Sequence, residues 1–131
     1  MPPYFGIVIE QSLADPAFAE TLDVAVRKQD SNGSWVFLLV RIAPERLTGE
    51  LERIRQAMVG DEPWYAHFFS EDRLAVVFAD ATFELSIDPV SWSPAIEHGL
   101  ALGIPRKQLD FWPRTGAQLE EMLGVSLADL G

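Results

Sequence analysis

Hydrophobic and polar positions alternate most clearly between Trp64 and Asp88, where the pattern predicts three short strands. Two polar breaks, Ser70–Arg73 and Asp80–Ala81, divide the stretch into runs rich in aromatic and β-branched residues, the composition of a half-buried pleated surface. With Glu71-Asp72 as the first tight turn, Phe69 faces Leu74, His67 faces Val76 and Tyr65 faces Phe78. With Asp80-Ala81 as the second, Phe78 faces Phe83, Val76 faces Leu85 and Leu74 faces Ile87. One face of the resulting meander is then apolar from Tyr65 to Ile87 except for His67. A slip of one residue would turn half of these side chains over, so the pattern itself selects the pairing. The opposite face carries Trp64, Ala66, Phe68, Ala75, Val77, Ala79, Thr82, Glu84 and Ser86. It is too apolar to be left in water and too small in side chain for a main core.

Upstream, Phe5, Ile7 and Ile9 alternate with Gly6, Val8 and Glu10, predicting a strand at Tyr4–Gln11 in which Gly6 marks a bulge or a close backbone approach. Asp15-Pro16 supplies an N-cap and a proline at the first helical position, opening a short helix through Phe18 and Leu22. Val24–Gln29 and Trp35–Ile42 flank an Asn32-Gly33 hairpin signal. The second of these runs is apolar without alternation, as a strand near the sheet centre would be. From Pro44, Leu47, Leu51, Ile54 and Met58 form one helical stripe, with Gly60 expected as a left-handed C-cap. Ser93-Pro94 opens another helix on Ile96 and Leu100, stopped by Gly103 and Pro105. Phe111-Trp112 tips a loop expected to pack back on the body. Thr115 to Gln118 fits a capping box before a short helix on Leu119, Met122 and Leu123.

The element order predicts a single α+β domain over residues 1–131. Its mostly antiparallel sheet has about five or six strands, with helices packed on one face. The first six elements follow the β-α-β-β-α-β order of ferredoxin-like folds, and a meander and C-terminal helices come after. That likeness is topological and carries no function with it.

Charge narrows the partners. A net charge of −10, with ten Lys and Arg scattered among twenty acids, opposes binding to nucleic acid or an anionic membrane. No apolar run approaches the roughly 18 residues needed to span a bilayer. The first residues show no basic segment followed by an apolar stretch, so the expected location is the cytoplasm. With no cysteine there is no disulfide framework and no thiolate nucleophile or ligand. The familiar phosphate, nucleotide, nucleophile-elbow and zinc-protease motifs are missing, and no cofactor or metal is implied.

The candidate chemistry is short. His67 lies on the apolar face between Tyr65 and Phe69. It is either a neutral core-edge imidazole or an acid–base group in a pocket beneath the C-terminal segment. His98, two positions from Ile96 and Leu100, is expected to point away from the buried stripe and to complement the helix C-terminus. The paired acids look uniformly solvated. Two functional hypotheses follow. The first is a non-catalytic interaction domain, a homodimer or a binder of a protein partner. Its contact surface would centre on Trp64, Phe68 and Val77 with Phe111, since interface centres favour large aromatics. The second is an enzyme or small-ligand protein with a pocket around Tyr65, His67 and Trp112.

Overall fold

The computed structural model describes residues 2–30, 33–60, 63–111, 115–124 and 126. Six strands, β1 (Tyr4–Ile9), β2 (Val24–Gln29), β3 (Val36–Ile42), β4 (Tyr65–Ser70), β5 (Arg73–Phe78) and β6 (Ala81–Ser86), form one sheet in the order β2-β3-β1-β4-β5-β6. Every neighbouring pair is antiparallel. Three helices, α1 (Leu47–Ala57), α2 (Ser93–Ala101) and α3 (Gly116–Leu123), pack against it. Among the described residues no helix is long and apolar enough to cross a membrane.

The first four strands interleave as two split β-α-β units: β3 lies between β1 and β2, and β1 lies between β3 and β4. The expected order therefore holds. In the first crossover, however, the predicted helix is replaced by two 3-10 turns, Glu10–Ser12 and Pro16–Thr21. The second of these is capped as the sequence indicates, Asp15 Oδ1 accepting from the Ala17 N–H at 3.0 Å. β5 and β6 then extend the sheet beyond β4.

The helices cover both faces of the sheet, not one. On the first face Leu47, Leu51, Ile54 and Met58 of α1 and the turn just after it meet Val8, Leu38, Val40, Ala66, Phe68, Ala75 and Val77. The sheet side chains here are mostly small or β-branched, so a single amphipathic helix can lie close. On the second face, Ala95 of α2 and Leu119 and Leu123 of α3 join Ile7, Leu39, Phe69, Leu74, Val76 and Phe78. The sheet face judged surplus from the sequence is thus the bed of α1. Phe68 and Val77 are 0 % exposed within it. This corrects the expectation that they form an outward contact surface: the chain's own helix already buries them.

Gly6 is a close-approach position. A Cβ there would collide with the His67 carbonyl oxygen and with Phe68 Cδ1. Glycine opposite Phe68 lets the aromatic ring fold over the β1 backbone.

The β4–β5 register is the predicted one, Tyr65 opposite Phe78, His67 opposite Val76 and Phe69 opposite Leu74. Glu71 makes the turn with φ +50°. The β5–β6 register differs by two residues: Phe78 pairs with Ala81, Val76 with Phe83 and Leu74 with Leu85. The turn is Ala79-Asp80, and because side chains alternate with period two, every predicted face survives the shift. Two helix details also differ. α1 ends at Ala57, and Met58 turns extended to bridge Leu13, so Gly60 caps nothing. α2 packs through Ala95 and Gly99, while Leu100 is 43 % exposed. A Cβ at Gly99 would stand 2.7 Å from Leu109, so the missing side chain there is what lets the following segment close on the helix.

Candidate functional site

On the second face α2 and α3 cover different parts of the sheet. His98 of α2 packs against Phe78 and Phe83 of β5 and β6 at a tilt, with ring centroids 4.9 and 5.5 Å away. Its Nε2 lies 2.7 Å from Asp80 Oδ1. His98 is therefore a packed docking group between α2 and the β5–β6 turn, not the outward-pointing residue its helical position suggested. At the other edge Lys28 of β2 donates to the Leu123 carbonyl at 3.2 Å, holding the C-terminal end of α3.

Between the two helices the connecting segment crosses the sheet. Ile104 and Leu109 are buried, and Phe111 is fully buried. The Phe111 ring makes edge-to-face contacts with Tyr65 (5.8 Å, 84°) and Trp92 (5.2 Å, 74°). Its backbone sits at φ +51°, a conformation that β-carbon sterics disfavour. Such strain persists only where the surroundings over-determine it, and here the aromatic cluster does so. Phe111 is thus an internal anchor for the segment and not a surface contact. The Tyr65 hydroxyl adds a second tie, donating to the Gln108 carbonyl.

Where β1 ends and β3 and β4 begin, the covering is incomplete, and a cavity of about 580 Å³ lies against the sheet. Its floor is Ile7, Ile9, Phe37 and His67, with Ile104 and Met122 contributed by the covering segment and α3. The register explains the floor: Ile7 pairs with Leu39 on one side and His67 on the other, and Ile9 pairs with Phe37. Trp35, Pro63, Gln108 and Asp110 are exposed lining residues that form the rim, with half-buried Trp64 and Tyr65 beside them. Trp35 and Trp64 meet edge to face, 5.6 Å apart at 66°.

His67 is 7 % exposed, one of few buried polar residues among those described, and its ring lies 6.2 Å from Tyr65 and 6.0 Å from Phe111. Burial, and after it the negative charge of Asp110, push the Tyr65 phenol well above its ordinary pKa. The phenol therefore stays neutral and serves as a hydrogen-bond donor. Asp110 is near enough for its charge to be felt inside the cavity.

Of the residues singled out in the sequence, Tyr65 and His67 come together in this cavity, and Trp64 stands at its rim. Trp112 lies outside the described residues. Phe68 and Val77 are on the other side of the sheet. Sequence reasoning missed Ile7, Ile9, Trp35, Phe37 and Asp110 as neighbours of His67. Alternation alone puts Ile7 and Ile9 on one strand face, but only the order β3-β1-β4 brings them beside His67. Comparison with protein-family models, curated proteins and solved structures finds no match for this chain.

Proposed function

We propose that this protein binds a small organic molecule in the cavity over His67. The observation that carries the reading is the cavity itself. Its roughly 580 Å³ falls within the range of small-molecule sites, and its lining is mainly apolar and aromatic with a few convergent polar groups. A monomer carrying its own site needs no second copy to explain its surfaces. The homodimer hypothesis loses its motive, because the sheet face that prompted it lies under α1. Any catalytic use of the site would fall to His67, the imidazole in the lining, acting on a bound compound.

Native mass spectrometry of gently purified protein tests the reading. The expected result is a monomer with retained small-molecule mass that is lost in Ile9→Trp, a substitution that fills the floor of the cavity. A dimer free of any adduct, together with no fragment-induced NMR shifts at Ile9 and His67, would sink it.

A further inference from the structure

Resting on the proposed small-molecule site, we infer that its ligand is an uncharged molecule with a flat aromatic body. The first observation is that the polar groups of the lining are already in use. The Tyr65 hydroxyl donates to the Gln108 carbonyl. Trp64, His67 and Asp110 each have a partner within the protein as well. No lysine or arginine stands among the described lining residues, so an anion entering the cavity would leave water without meeting a counter-charge there. A cation would meet a carboxylate that is already engaged. Its contact with an exposed ring is worth less than the hydration it loses over an apolar floor. The chain's net charge of −10 alters this little, because at physiological salt charges more than about 8 Å from the ligand are largely screened.

The second observation is the chemistry of the remaining surface. Ile7, Ile9 and Phe37 give an apolar floor, and half-buried Met122 adds a flexible thioether of the kind that packs well against aromatic rings. At the rim Trp35 and Trp64 meet edge to face, a contact that engages one face of one indole and an edge of the other. Trp35 keeps 44 % of its surface exposed, so a third ring can join the pair. An aromatic guest gains that ring contact in addition to the area it buries. A saturated guest gains the area alone.

The experiment is an NMR titration at physiological salt, read at the Ile9 methyl groups, with four probes on one bicyclic frame. They are 2-naphthylmethanol, 2-naphthylmethylammonium, 2-naphthoate and the fully saturated alcohol decahydro-2-naphthylmethanol. 2-Naphthylmethanol should bind about tenfold tighter than either ion, because only the ions give up charge hydration. Trp35→Leu should weaken 2-naphthylmethanol by about fivefold, the scale of one aromatic pair, and the saturated alcohol by clearly less. Either ion binding as tightly as 2-naphthylmethanol would overturn the uncharged assignment. Equal losses for the two alcohols in Trp35→Leu would overturn the aromatic one. Both of those outcomes leave the binding site standing. If none of the four probes moved the Ile9 signals, the inference and the site would fall together.

Discussion

The two faces of this sheet are built from the same strands yet end in different states. Beneath α1 the central sheet residues are sealed: Val8, Val40, Phe68 and Val77 are 0 % exposed, covered by the helical stripe together with Leu13 and Leu22 of the first crossover. Over the other face two short helices and a crossing segment share the work. The side chains there are larger, and one of them is a histidine. At one end the cover is incomplete, and a cavity over Ile7, Ile9, Phe37 and His67 remains. Close packing stabilises the first face, and incomplete cover leaves the second with a cavity. The difference lies in side-chain volume and in the continuity of the cover, since strand geometry is common to both.

The strongest test of that contrast is Val77→Glu. An uncompensated carboxylate under α1 is expected to cost about 4 kcal/mol or more, a large part of the stability of a domain this size. Circular dichroism and urea titration should find the variant unfolded or nearly so. If it instead gave a folded monomer that had shed a native partner, the face would be an intermolecular surface and the contrast between the faces would dissolve.

A paired substitution sharpens the comparison at smaller amplitude. Phe68→Ala empties the sealed face and is expected to destabilise by about 3–5 kcal/mol. Trp35→Ala removes a larger ring from the rim of the cavity, where Trp35 is 44 % exposed. Its cost should be about 1 kcal/mol, the scale of a single edge-to-face aromatic pair such as Trp35 makes with Trp64. Chemical denaturation of both variants reads the difference directly. Equal destabilisation would mean that the rim is packed as tightly as the core.

Much of this was legible in the sequence, for reasons that also mark the limit. Period-two alternation fixed the face of each residue from Tyr65 to Leu85 even though the β5–β6 turn lies one residue earlier than expected. The Thr115 cap of α3 was readable because it is local, its Oγ1 accepting from the Gln118 N–H at 3.2 Å. The cavity was not readable in this way. It depends on contacts such as Tyr65 to Gln108, 43 residues apart, and on which strand lies beside which. His98 was misplaced because Ile96 and Leu100 looked like the buried stripe of α2. The actual contact is through Ala95 and Gly99, where small size matters more than hydrophobicity.

The smallest expected effect probes the cavity face through Tyr65. The chain has two tyrosines, so Tyr4→Phe leaves Tyr65 as the sole phenol to follow by ultraviolet absorbance. Burial is the larger cause of its raised pKa and the Asp110 charge the smaller. In the unfolded chain the phenol should ionise near the ordinary value of about 10. In the folded protein it should ionise above that, because the neutral form is the one favoured there. The linkage has a definite sign. Tyr65 contributes its full stabilisation below the unfolded pKa, and that contribution declines as pH rises from there toward the folded value. Asp110→Asn in the same background should lower the folded midpoint, but by less than the whole displacement, because burial remains. A midpoint at the ordinary value in the folded protein would mean that water reaches the phenol freely and that the covering segment does not close over β4. A midpoint unmoved by Asp110→Asn would mean that this carboxylate does not act on the phenol and that burial alone raises its pKa.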